Sequence, residues 1–184
     1  GQSGTVTVGL GESFAGDIIA GAVLRFREAR PDVRVDLIEG YSEKLRHRLY
    51  DGEFDFIAAG VSAYELAEGF RRDVLYSTSD VVAARPEHPL AGRRALALAD
   101  LVGYAWLVPY SRPADLEVIV DAFVAENLAP PRRIVGSDAY RIGMQLLLRS
   151  DLLLMVSPAL VGPELARGTL VALPVDRPSV QRNA

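Results

Sequence analysis

The sequence contains no cysteine and only two histidines among its 184 residues. Without thiols the chain has no disulfide framework, thiolate zinc site, iron-sulfur cluster or cysteine nucleophile. Two isolated imidazoles, His47 and His88, leave little for a histidine metal site. We therefore expect neither a metal nor another cofactor. The lack of cysteine also fits a reducing compartment such as the cytoplasm.

Long apolar runs and an excess of positive charge are also missing. The longest apolar stretches are interrupted by Arg149, Ser150 and Asp151, so none approaches the roughly 18 residues of a membrane span. No basic segment with a cleavage signal precedes the first apolar stretch, so no secretory peptide is indicated. The formal charge of -4 excludes the basic surface that nucleic acid binding requires. We expect a protein that neither enters a membrane nor binds DNA through this chain.

Apolar residues make up 49% of the chain, which is enough for a real core, and their spacing in the first third changes repeatedly between two periods. This alternation predicts strands at 5–10, 33–37 and 54–59, with a helix at 14–29 and a shorter helix that Ser42 caps and Gly52 ends. A strand-helix-strand-helix-strand order predicts a parallel sheet with right-handed crossovers. The fold class is therefore α/β.

The alternation of strands and helices is interrupted at residues 76 to 79, where we place the boundary between two lobes, and the rest of the chain then repeats it. Ser137 or Asp138 is expected to cap the helix that runs to Arg149. The other predicted elements are strands at 74–76, 80–84, 105–108, 133–135, 152–156 and 170–173, and a helix at 114–126.

Two motifs of enzymes are approached but not completed. The glycines at 9 and 11 lack the third glycine of a dinucleotide fingerprint, because position 14 is Phe14. The segment 11–15 misses the last glycine of a nucleophile elbow, because position 15 is Ala15. Neither a helix histidine, His47, nor a turn histidine, His88, suits a general base. We expect no enzyme.

A polar residue recurs where a predicted strand ends and a helix begins. The instances are Glu12-Ser13, Tyr110-Ser111-Arg112 and Ser137-Asp138. Because ligands of open α/β sheets bind outside the carboxyl ends of the strands, these positions favour a ligand cleft. The alternative is that each serine only caps a helix. Arg112 either pairs with a carboxylate or points into water.

Several segments, taken in order, resemble one known family. They are Gly4 to Gly9, Phe26 to Val33 followed by Glu39-Gly40, Leu49 to Phe56, Pro86 to Leu90, and Ala99 to Leu101. In this order and spacing they resemble the effector-binding domain of LysR-type transcriptional regulators. The chain departs from the family at 149–158, where the usual glycines are missing.

The resemblance implies two Rossmann-like lobes joined by crossover strands, which is the architecture of type 2 periplasmic binding proteins. It implies lobe I at 1–77, lobe II at 78–178 and the start of a return crossover at 179–184. Family members continue with a strand and a helix that complete lobe I. They begin with a DNA-binding winged helix-turn-helix domain, which is absent from this chain.

The resemblance also implies function. A small-molecule effector, such as a sugar, an aromatic acid or another small carboxylate, would bind in the cleft between the lobes, and DNA would be bound only through the missing domain. A homodimer is implied, with the helix at 14–29 against the partner's helix at 114–126, and a tetramer for the full-length regulator. The alternative is a transport-type solute-binding protein of the same fold. The implied ligand contacts are Glu12, Ser13, Phe14, Tyr41, Gly60, Val61, Pro109, Tyr110, Ser111, Ser137 and Asp138.

Overall fold

The computed structural model describes residues 4–11, 17–60 and 66–183, and the chain divides into two compact units. Unit 1 contains the chain up to Thr78 and again from Arg182, and unit 2 runs from Ser79 to Gln181. No helix among the described residues is both long and apolar enough to cross a membrane. The predicted positions Glu12, Ser13, Phe14 and Val61 lie outside the described residues.

Unit 1 contains a three-stranded parallel sheet. Its elements are β1 (Gly4–Leu10), α1 (Asp17–Ala29), β2 (Val33–Glu39), α2 (Ser42–Tyr50) and β3 (Phe56–Ala58). The strand order is β2-β1-β3, and both neighbours pair with β1 in parallel. The predicted α/β order and the parallel sheet are confirmed. Among the described residues, β3 has a neighbour only on its β1 side.

The buried part of unit 1 is small. Among its described residues, the buried apolar side chains are Val8, Leu10, Leu45 and Phe54. Gly9 lies beside them, where a Cβ would be 3.1 Å from Leu45, 3.2 Å from Phe54 and 2.8 Å from Ile57. Only glycine lets α2 and the segment before β3 pack this closely against β1.

The third strand is shorter than the predicted 54–59, because a side-chain hydrogen bond replaces a backbone hydrogen bond to β1 before its start. Asp55 accepts a hydrogen bond from the Thr7 amide at 2.7 Å through Oδ2, and the Asp55 amide donates to the Thr7 carbonyl at 2.9 Å. Phe54, before it, is buried. Phe54 and Asp55 therefore precede β3 and are not part of it.

Unit 2 contains a five-stranded mixed sheet with the order β7-β6-β8-β5-β9. The chain order is β5 (Val81–Ala84), β6 (Ala105–Val108), α3 (Pro113–Ala125), β7 (Ile134–Gly136), α4 (Tyr140–Leu148), β8 (Leu152–Val156), α5 (Pro158–Ala166) and β9 (Val171–Leu173). Strands β7, β6 and β8 are parallel, whereas β5 is antiparallel to both β8 and β9.

Two apolar clusters cover the two faces of this sheet. One contains Trp106, Ile119 and Phe123 and lies on the α3 side. The other contains Leu107 and Leu147 and lies on the α4 side. Every residue of β8 is buried, which is typical of a central strand that is covered on both faces. Among the described residues, unit 2 thus buries many more apolar side chains than unit 1.

Residues 74–76 do not form the predicted strand, although all three are described. Val74 and Leu75 are exposed, and the strand instead begins later, as β4 (Ser77–Ser79), which pairs with β10 (Gln181–Asn183). The apolar pattern at 74–76 was misleading because a strand also requires a neighbour with which to hydrogen-bond.

Two helix starts and one helix also differ from the sequence-based expectations. Ser42 is the first residue of α2 instead of its cap, and α4 begins at Tyr140 after Ala139, so neither Ser137 nor Asp138 is its N-cap. Helix α5 was not predicted. Pro163 lies within it, and an internal proline normally argues against a helix.

Candidate functional site

The carboxyl ends of three parallel strands meet at one edge of the unit 2 sheet. Strands β6, β7 and β8 end at Val108, Gly136 and Val156. Each is followed by polar residues and then by the start of α3, α4 or α5. We call this edge the unit 2 carboxyl edge. It brings together five of the residues that the sequence analysis selected, namely Pro109, Tyr110, Ser111, Ser137 and Asp138.

Hydrogen bonds tie the ends of β6 and β7 together. The Ser137 amide donates to the Val108 carbonyl at 3.0 Å, and the Ser111 amide donates to Asp138 Oδ1 at 2.8 Å. Ser137 Oγ accepts a hydrogen bond from the Ala139 amide at 3.2 Å. Tyr110 is 81% exposed, so its ring is available for contact. The edge therefore presents an aromatic ring and hydroxyls on a hydrogen-bonded backbone.

The Arg112 guanidinium forms an ion pair within the chain. Its Nε lies 3.2 Å from Oδ2 of Asp115, a buried residue in the first turn of α3. Asp115 is favourably placed there, since a negative charge stabilises the start of a helix. Arg112 therefore already has a counter-ion at this edge.

The sequence analysis missed Ser157. It is buried at the end of β8, and its Oγ accepts a hydrogen bond from the Ala159 amide at 3.3 Å as the N-cap of α5. Another buried polar residue, Asp80, directly precedes β5, whose first residue Val81 pairs with Val156 at the end of β8. The sequence did contain a signal for this cap. Ser157 follows an apolar strand and precedes Pro158, and a serine followed by a proline is typical of a helix N-cap and first helical position.

In unit 1 the strand ends are held very close together. The Gly11 amide donates to the Ala58 carbonyl at 2.8 Å, and the Gly40 amide donates to the Leu10 carbonyl at 3.0 Å. A Cβ on Gly11 would lie 3.0 Å from Ala59 Cα, so a larger residue at this strand end would have to displace Ala59. Of the predicted ligand contacts, Tyr41 and Gly60 are described here, at the carboxyl ends of β2 and β3.

Unit 1 also has a cavity of about 630 Å³ beside β3. Gly60 is among its lining residues, together with the apolar Phe56, Leu66, Phe70 and Leu75. The volume lies within the usual range for small-molecule pockets, about 300–1,000 Å³. No group of three or more potential metal ligands lies together in the part of the chain that the structure describes.

This architecture defines a class. An α/β chain with a parallel sheet in one unit, a mixed sheet in the other and polar residues at the strand ends is the type 2 periplasmic-binding-protein fold. The model of one family, the LysR substrate binding domain, matches residues 1–184. The chain belongs to this family, and the resemblance seen in the sequence is confirmed.

Curated relatives of this chain are transcriptional regulators. The chain is 30% identical over 179 residues to the HTH-type transcriptional regulator GalR of Pseudomonas putida, which covers 97% of this chain and 45% of the relative. It is 31% identical over 175 residues to the SDS degradation transcriptional activation protein of a Pseudomonas species, which covers 93% of this chain and 55% of the relative. The chain thus spans about half the length of these relatives.

Solved structures share the fold at low sequence identity. The regulatory domain of CcmR from Synechocystis, in complex with 2-PG, matches with a TM-score of 0.74 at 22% identity, over 98% of this chain and 85% of that one. The effector binding domain of QuiR, in complex with shikimate, matches with a TM-score of 0.73 at 19% identity, over 99% and 85%. Both neighbours hold a small molecule.

Proposed function

We propose that this chain senses a small-molecule effector for a LysR-type transcriptional regulator in the cytoplasm and performs no catalysis. The observation that carries the proposal is the set of polar residues that follow the parallel strands of unit 2, with exposed Tyr110 and Ser111 among them. In open α/β sheets, ligands bind at this end of the strands. Family membership favours this function over solute transport.

Several of the proposed contacts lie at the unit 2 carboxyl edge. On unit 2, Ser111 and Ser137 offer hydroxyls, and the Tyr110 ring offers an apolar surface to a sugar or an aromatic acid. The proposed set is the one that the resemblance implies: Glu12, Ser13, Phe14, Tyr41, Gly60 and Val61 on unit 1, and Pro109, Tyr110, Ser111, Ser137 and Asp138 on unit 2.

Binding regulates only if it differs between two conformations. A ligand with equal affinity for both shifts no population, whereas one that prefers a single state shifts the population toward it. We propose that DNA binding belongs to a separate domain of the whole regulator, because this chain carries a net charge of -4. Lobe boundaries at 77 and 178 are part of the same proposal.

The first test is a thermal-shift screen of the chain against sugars, aromatic acids and small carboxylates, including shikimate and 2-PG. We expect one chemical class to raise the melting temperature, since a ligand at 100 times its Kd adds about 2.7 kcal/mol to the stability. Ser111→Ala is expected to weaken that shift, because the loss of a hydrogen bond costs about 0.5–1.5 kcal/mol.

Ser150→Ala is the matched control. Ser150 lies just past the carboxyl end of α4, and its hydroxyl donates to the Leu146 carbonyl at 2.6 Å. Its removal should lower the melting temperature of the free chain but leave the ligand-induced shift intact. A screen without any hit, or hits that Ser111→Ala leaves unchanged, would contradict the assignment of this edge.

We further propose that the chain forms a dimer through α1 of one copy and α3 of the other. Both helices carry apolar side chains that the chain itself leaves exposed, among them Ile18 at 64%, Leu24, Phe26 and Val124. Such residues are common at subunit interfaces. Ile18→Glu is expected to raise the dimer Kd at least tenfold, because a twofold dimer contains the substituted contact twice.

Sedimentation velocity over a concentration series would measure this change. Leu75→Glu is the control, since Leu75 is equally exposed, at 68%, but lies outside both helices. The helix assignment is wrong if both variants sediment like the unsubstituted chain, or if Leu75→Glu disrupts the dimer as strongly as Ile18→Glu.

A further inference from the structure

The backbone of the loop from Pro109 to Arg112, which follows β6, is bonded to a carboxylate of another loop. Within the loop, the Arg112 amide donates to the Pro109 carbonyl at 3.2 Å and closes a turn. The Ser111 amide lies inside this turn and donates instead to Oδ1 of Asp138 at 2.8 Å, across 27 residues of chain. Asp138 therefore links the loop after β6 to the loop after β7.

The segment that carries Asp138 is itself well anchored. The Ser137 amide donates to the Val108 carbonyl at 3.0 Å, which extends the pairing of β6 with β7 by one bond. Ser137 Oγ accepts from the Ala139 amide at 3.2 Å, so the backbone on both sides of Asp138 is fixed. A bond from an amide to an ionised carboxylate is among the stronger hydrogen bonds. The loop after β7 is thus fixed by its own hydrogen bonds, and through Asp138 it fixes the exposed Ser111 in the loop after β6.

We propose that Asp138 is a positioning residue: it holds Ser111, and with it the Ser111 hydroxyl, in place for the effector. Since the Ser111 amide is used by Asp138, the effector meets Ser111 through its hydroxyl. Asp138 thereby acts through Ser111, which differs from the direct contact that the resemblance implies. Binding groups whose positions are fixed in advance lose less entropy when a ligand arrives. This role rests on the proposed function of the same site.

Amide hydrogen exchange of the isotope-labelled chain, followed by NMR, tests the proposal without any ligand. In Asp138→Ala the Ser111 amide is expected to exchange at least tenfold faster and to shift in the spectrum, while the amides of β6 and β8 keep their protection. In Asp138→Asn the rate should return toward that of the unsubstituted chain, because the side-chain amide oxygen still accepts a hydrogen bond. Asp121→Ala, at an exposed position on α3, is the control and should leave Ser111 unchanged.

Two results would overturn the proposal. One is an unchanged Ser111 exchange rate in Asp138→Ala, and the other is faster exchange throughout unit 2, which would indicate a role in general stability. If Asp138→Ala does not fold, Asp138→Ser decides the question: its shorter side chain should not reach the Ser111 amide, which must then again exchange at least tenfold faster while β6 and β8 keep their protection. Because no ligand is used, a failure here is distinct from a screen that finds no effector.

Discussion

Replacing Phe123 by alanine is expected to lower the unfolding free energy of unit 2 by about 3–5 kcal/mol. Phe123 is fully buried in the cluster on the α3 face of the sheet, where its ring meets the Trp106 ring edge-on with a centroid distance of 6.4 Å. The substitution removes this contact and leaves a cavity that rigid strands cannot fill. A loss of this size is a large fraction of the total stability of a domain.

The sequence supplies a selective reporter for this experiment. Trp106 is its single tryptophan and lies in the core of unit 2, so tryptophan fluorescence, excited outside the tyrosine absorption band, follows the unfolding of unit 2 in urea. Far-ultraviolet circular dichroism follows the helices of both units. We expect Phe123→Ala to move the fluorescence transition to lower urea, whereas the part of the dichroism change that comes from unit 1 stays in place.

Ile142→Ala serves as the control, since it also shortens an apolar side chain on a helix of unit 2 but at an exposed position. It should change stability by less than about 0.5 kcal/mol. If Phe123→Ala moves the fluorescence and dichroism curves together by the same amount, the two units unfold as one cooperative block, and the division of the core described above does not govern stability.

The second large effect is an expected loss of stability of unit 2 at acidic pH, caused by His88. The pKa of His88 lies below its ordinary value of 6.5, because burial of the imidazole disfavours its charged form; Asp151 opposes this effect and Arg85 adds to it. The Leu90 amide donates to Nδ1 of His88 at 3.1 Å, which requires that nitrogen to be unprotonated, and Tyr104 packs against the ring at 4.7 Å. The folded state therefore holds a neutral His88.

The sign of the pH effect follows from these pKa values. As the pH falls below about 6.5, the unfolded chain takes up a proton on His88 while the folded chain does not, so the unfolding free energy of unit 2 decreases. The slope approaches about 1.4 kcal/mol per pH unit where the difference is one full proton. The loss stops growing once the pH passes below the lowered pKa.

Urea midpoints from Trp106 fluorescence at pH 8 and pH 5.5 would measure this loss. In His88→Asn the side-chain oxygen can still accept from the Leu90 amide, but the group no longer titrates, so the difference between the two pH values should shrink. His47→Asn, at an exposed position on α2, is the control and should keep the full difference. An equal pH dependence in the unsubstituted chain and His88→Asn would show that other groups cause it.

The candidate site was foreseen only in part. The pattern of a polar residue after an apolar strand correctly located the loops after β6 and β7, since the alternation that marks each strand also marks its end. It did not show that the Ser111 amide bonds to Asp138 or that Arg112 pairs with Asp115. Both contacts depend on how two loops face each other, which periodicity does not describe. Ser157 was missed because it caps α5, and the internal Pro163 argued against a helix there.

The sequence by itself determined the class of this protein. Strand and helix periods are local properties of the chain, so the α/β order, the parallel sheet of unit 1 and the acidic charge could all be derived from it, and the family follows from segments in fixed order. The tertiary structure alone decided which apolar segments found partners. Residues 74–76 form no strand, and His88 is buried in a turn. Among the described residues, more apolar side chains are buried in unit 2 than in unit 1. Pairing and burial depend on residues that are distant in the chain, which local periodicity does not describe.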